Sequence, residues 1–268
     1  MTVTLRPSLL AFLLTFVVCG TQAQGVKLPP SQGLLISSID LSQSFGAKSG
    51  WRFMALQGPD TPELEMMDPT PGKILLCVTR DGGASCFPDL DHVLRFSSGD
   101  DEYSDPHYLI GVRIEHPRAG RPLLFMQVAS KHSLDGDQRL ATVVLAYDHV
   151  QESFTVVYEK QTNKNNDQEV RYIANGPLMG AIISAEPTGD APFGFWITVD
   201  RLGPTGAYKQ VLRYRSATRY GDGNSLPVID SDMPGILKRL SLWRPGGKLP
   251  LPPGKCAKPR LVGQELWC

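Results

Sequence analysis

The densest run of side chains able to do chemistry spans residues 99–107, where Asp100, Asp101, Glu102 and Asp105 precede His107. Two carboxylates facing each other across a sugar bond would serve a carbohydrate-active hydrolase or lyase. Crowded like charges are equally the mark of a solvated loop. A second group, Arg213, Arg215 and Arg219 with Tyr220, alternates along a strand-like stretch, so the guanidiniums share one side. Guanidiniums placed this way suit a partner bearing carboxylate or phosphate, with Tyr214 and Tyr220 beside them. The competing reading is a solvent face balanced by nearby acids. Asn165, Asp167 and Glu169 also alternate and offer the oxygens that calcium takes. The calcium-loop pattern itself is absent, and Asn and Asp form turns in their own right, so no metal and no cofactor is expected.

Other catalytic signatures are missing. There is no Gly-x-Ser-x-Gly elbow, no His-Glu-x-x-His helix and no phosphate loop. His92, His107, His116, His132 and His149 include no pair at metal-ligand spacing with one another or with cysteine. Trp51, Phe195 and Trp196 sit in apolar runs and are expected in the core, where large aromatics dominate burial.

Four of the five cysteines lie beyond residue 23. Cys77 and Cys86 flank Asp81-Gly82-Gly83, a turn signal, and Cys256 and Cys268 bracket a short tail. An even count in an exported chain predicts the disulfides Cys77–Cys86 and Cys256–Cys268. Export is expected because Arg6 is followed by an apolar run over residues 8–20 and by Thr21-Gln22-Ala23, a small-residue cleavage site. That run is shorter than the roughly 20 residues a membrane span needs. Residues 1–23 therefore read as a cleaved signal peptide, with no stable membrane insertion afterwards and a periplasmic or secreted product. The 27 basic and 27 acidic residues of the chain cancel, which excludes general attraction to nucleic acid or anionic lipid.

The elements that must position these residues are short. Apolar runs recur at residues 34–37, 51–56, 73–79, 108–115, 122–129, 140–147, 154–159, 170–173, 180–185, 193–199 and 208–214, and Gly, Pro, Asp or Asn bounds most of them. That is the strand-and-turn pattern of an all-β protein. A short helix is expected near 234–242, with Asp232 as its N-cap and Pro234 in its first turn. Asp91-His92-Val93 recurs as Asp148-His149-Val150. The stretch holding Tyr147, Phe154, Val157 and Tyr158 is echoed by Val199, Tyr208, Val211 and Tyr214. These hairpins resemble the outer strand pairs of β-propeller blades.

The expected architecture is propeller-like antiparallel sheets over residues 24–243, with a two-sheet β-sandwich as the alternative. Residues 244–268, rich in Pro and Gly, are expected to wrap the sheet as an extended, disulfide-closed tail. The expected function is binding without catalysis, with a protein or glycan as partner. Loops on a rigid β scaffold suit recognition. The alternative is the carboxylate hydrolase or lyase.

Overall fold

All eleven apolar runs become strands, because each alternates or fills both faces of a pleated ribbon between turn formers. The computed structural model describes residues 33–48, 50–62, 69–96, 103–117, 121–216, 223–252, 254 and 256–268. A first sheet contains β1 (Leu34–Asp40), β2 (Arg52–Gln57) and β3 (Ile74–Thr79). A second contains β4 (Tyr108–Glu115), β5 (Leu123–Ala129), β6 (Leu140–Asp148) and β7 (Ser153–Gln161) in sequence order. A third contains β8 (Glu169–Tyr172), β9 (Ile182–Pro187), β10 (Phe195–Leu202) and β11 (Tyr208–Ser216), again in order. β12 (Arg260–Val262) and β13 (Glu265–Trp267) form a separate hairpin. All pairings are antiparallel. The all-β expectation holds. A propeller is not shown, since no sheet closes.

The sheets pack face to face. β5 reads Leu-Leu-Phe-Met-Gln-Val-Ala, almost continuously apolar, because both of its faces are covered. Leu124, Met126 and Val128 meet Phe53, Ile74, Leu76 and Val78 of the first sheet. Leu123 and Phe125 face the other way and meet Val170, Tyr172 and Ile182 of the third. The far side of the third sheet, through Ile183, Ala185, Phe195, Ile197 and Val199, is covered by α3 (Val228–Arg239). No helix among the described residues is long and apolar enough to cross a membrane.

α3 corrects the helix expectation. It starts at Val228, and Asp232 lies buried inside it instead of capping it. Pro234 also sits within the helix. Val228, Ile229, Ile236 and Leu237 share the stripe that covers the third sheet, and this burial outweighs one lost backbone bond at the proline. Two further short helices, α1 (Ser42–Phe45) and α2 (Leu90–Val93), were not expected.

The tail differs too. It folds into the β12–β13 hairpin and docks on α3, where extended chain against a sheet was expected. Asn224 fixes it by donating to Ser231 Oγ and to the Leu266 carbonyl at 3.0 and 2.9 Å, while its own Oδ1 accepts from the Cys268 N–H at 3.3 Å. Asn224→Ala should therefore cost about 1–3 kcal/mol by orphaning several polar groups at once; chemical denaturation of the variant measures it. Cys77–Cys86 and Cys256–Cys268 are both bonded, with Cα separations of 5.0 and 5.5 Å.

The sequence repeat divides in two. Asp91-His92-Val93 lies in α2, capped by Asp89, whereas Asp148-His149-Val150 begins the β6–β7 turn, so those triplets are not equivalent. The hairpin repeat is structural. Val144 pairs with Tyr158 and Leu145 with Val156, leaving Val157 as an extra residue. Val199 pairs with Leu212 and Asp200 with Gln210, leaving Val211 as the extra residue. Each of the two matched valines is a bulged residue, and each lies in the last hairpin of a four-stranded sheet.

Candidate functional site

The bulge at Val211 decides which side chains face together. Side chains alternate along a strand, so Tyr208 and Arg213, five residues apart, would otherwise point to opposite sides. The extra residue places Tyr208, Gln210, Arg213 and Arg215 on one face of the third sheet. Across that face the rows read Glu186, Trp196, Arg215; then Ser184, Thr198, Arg213; then Ile182, Asp200, Gln210. The same face meets β7, which contributes Tyr158 and Lys160.

Where the outer strands of the two sheets diverge, a groove of about 400 Å³ opens, lined by residues 156–160 of β7, Thr198 and Asp200 of β10, and Tyr208 and Gln210 of β11. It adjoins a second hollow of about 540 Å³ through Val156 and Val157, which line both. The second hollow carries Arg121, Tyr147, His149, Leu202 and the β10–β11 turn. Together they form one long channel along the junction of the second and third sheets.

Polar groups converge in it. The Tyr158 hydroxyl donates to Asp200 Oδ2 at 3.4 Å, and the Tyr158 and Tyr208 rings meet edge to face at 5.4 Å. The Tyr208 hydroxyl donates to the Gly180 carbonyl at 2.9 Å. Lys160 pairs with Glu186 at 2.5 Å. Burial raises the Tyr158 and Tyr208 hydroxyls above the ordinary tyrosine range, so both remain protonated donors. Burial also raises the Asp200 carboxyl, against the opposing pull of Lys160 and of the Tyr158 hydrogen bond. A carboxyl raised in the folded state contributes most below its unfolded pKa, and that contribution fades as pH rises through the folded pKa. Asp200→Asn should thus leave stability at neutral pH unchanged or slightly improved, and should shrink the relative gain on acidification; urea melts at neutral and mildly acidic pH compare the two.

The structure distributes the expected site residues unevenly. Arg213 is exposed, with its guanidinium 4.5 Å over the Trp196 ring. Arg215 donates to the Asp190 and Pro192 carbonyls and braces the β9–β10 loop. Arg219 and Tyr220 lie outside the described residues. Tyr214 does not join the arginines; it lies on the opposite face, under Arg239 of α3. Asp100, Asp101 and Glu102 also lie outside the described residues. Asp105 pairs with Lys73 at 3.2 Å and approaches Arg95 at 3.9 Å.

Of the calcium candidates, Asn165 Oδ1 accepts from the Asp167 N–H in a local turn. The Glu169 carboxylate instead accepts from Arg171 and from the Ile229 N–H. Among the described residues, no group of three His, Cys, Asp or Glu side chains could hold a metal ion. Trp51 and Phe195 are buried as expected, but Trp196 is half-exposed on the groove face. Adjacent strand residues must face opposite ways, so burying Phe195 turns Trp196 outward. Tyr158, Lys160, Asp200 and Gln210 were not anticipated. No protein-family model matches the chain, and no curated protein or solved structure does either.

Proposed function

We propose that the chain is an exported binding protein of the cell envelope or exterior, periplasmic or secreted, that recognises a glycan through the channel between its second and third sheets. The observation that carries this reading is the channel lining. Hydroxyl, carboxyl, ammonium and amide groups of Tyr158, Asp200, Lys160, Thr198 and Gln210 converge on a space of about 400 Å³. Such a set matches a ligand rich in hydroxyls better than the apolar surface of a protein partner. Length supports it as well: the channel follows strands, so its shape suits an extended chain. The carboxylate hydrolase reading gains no support from Asp105, which ion pairs already engage. The stacked, bulged hairpins favour a blade-like, open propeller arrangement over a two-sheet sandwich.

Two disulfides accord with an oxidising compartment. Expression of the full chain in a secreting host should yield a product beginning at Gln24 with both bridges formed; a product retaining residues 1–23 would contradict the export reading. For binding, Gln210 is exposed on the lining, so Gln210→Trp should fill the channel and leave the fold intact. A glycan array probed with both proteins should show hits that the variant loses. Hits retained in full by the variant would move the site elsewhere.

A further inference from the structure

We infer that the glycan is anionic: an acidic polysaccharide, with carboxylates on successive sugar units, lying along the channel. This inference rests on the glycan reading above and adds the charge of the ligand. Two guanidiniums carry it. Arg213 flanks the groove beside Thr198, is exposed, and has no carboxylate partner among the described residues. Arg121 lines the second hollow, is likewise exposed, and has no ion pair among the described residues. The Trp196 ring holds the Arg213 guanidinium in a cation–π contact at 4.5 Å, which leaves its charge available to a carboxylate it can grip bidentately.

Among the described residues none of the nearby acids ion-pairs with Arg213 or Arg121. Glu186 is taken by Lys160. Asp148 Oδ1 accepts from the Val150 and Gln151 N–H groups and closes its own turn. Asp200 is bonded to Tyr158. Glu159 remains as an exposed acid on the rim.

Spacing selects a chain over a single anion. Arg213 lies opposite Thr198, and Arg121 lines the hollow around Leu202, four residues further along β10. The strand rises on the order of 13 Å from Thr198 to Leu202. A carboxylate gripped beside Thr198 lies away from the hollow around Leu202, whereas a polymer charged at intervals reaches along the strand to both. Beside Arg213 the same face offers the exposed Gln210 amide, with Thr198 and Tyr208 next to it, and these suit sugar hydroxyls.

The test titrates an oligogalacturonate, a neutral cello-oligosaccharide of equal length, an oligoglutamate peptide and a single-stranded oligonucleotide into the mature protein. Arg121→Gln, Arg213→Gln and Gln210→Trp are titrated in parallel. All three positions are exposed, so the variants should fold. The expected result is binding of the oligouronate that weakens with added salt, about tenfold weaker in each arginine variant and lost in Gln210→Trp.

Equal binding of the neutral oligosaccharide, with both arginine variants unchanged and Gln210→Trp inactive, would overturn the anionic ligand and leave the glycan channel standing. Tighter binding of the peptide or the oligonucleotide would overturn the glycan itself. Absence of saccharide binding by the unaltered protein would overturn both readings.

Discussion

Phe125→Ala should lower the stability of the protein by about 3–5 kcal/mol, the range for removing a fully buried phenylalanine from a core. Phe125 has no exposed surface and lies at the centre of β5, facing the third sheet. Its ring meets Tyr172 edge to face at 6.2 Å, and the Arg113 guanidinium lies 4.2 Å over it. Truncation opens a cavity that neighbours on two stiff sheets cannot collapse to fill, and it removes both ring contacts. The consequence reaches the channel, because the same cluster includes Tyr158, Ile182 and Tyr208. Urea denaturation of the variant gives the cost, and a loss below about 1 kcal/mol would mean that the second and third sheets do not pack through this residue.

Arg171→Ala should be almost as damaging, about 3 kcal/mol, for an electrostatic reason. Arg171 of β8 pairs with Glu169 on its own strand and with Asp230 at 2.5 Å in the first turn of α3. Glu169 also accepts from the Ile229 N–H at the start of that helix. The three side chains are mostly shielded from water, so deleting the cation leaves two neighbouring carboxylates without compensation. Burial already pushes the Glu169 carboxyl upward, with Arg171 holding it down. Without the guanidinium that carboxyl should rise further, and the variant should regain stability as pH falls and the acids take up protons. The triple variant Arg171→Met, Glu169→Gln, Asp230→Asn, which removes all three charges together, should recover most of the loss. A single variant indistinguishable from the unaltered protein would show the triad to be a solvated surface cluster.

Much of this fold was legible in the sequence because local patterns dictated it. β5 and β6 read as long apolar runs, and they are the strands covered on both faces. The cysteine pairs were legible because each spans a short turn-rich loop. The repeat at Val157 and Val211 was visible as letters, but its meaning, a bulge that re-aims the following side chains, is a property of pairing register. α3 was misplaced because Pro234 reads as a helix start, whereas the stripe from Val228 to Leu237 is stabilised by a sheet distant in sequence.

The site was less legible. Alternation placed Arg213 and Arg215 on one side correctly. Their aromatic neighbour is Trp196, on a different strand, and not Tyr214, the adjacent residue. Tyr158 and Asp200 are 42 residues apart and meet only because two sheets stack. The calcium candidates failed to converge for the same reason: Glu169 finds its partners in Arg171 of its own strand and in the Ile229 N–H of α3, 60 residues away, instead of in its own loop.

Amide hydrogen exchange on the protein with and without oligogalacturonate tests the channel most directly. Slowed exchange should concentrate in residues 156–160 of β7 and in residues 198–210 of β10, β11 and the turn between them, with the first sheet unchanged. Protection confined instead to another surface, such as the hollow of about 360 Å³ beside Pro250, Leu251 and Pro252, would contradict the account.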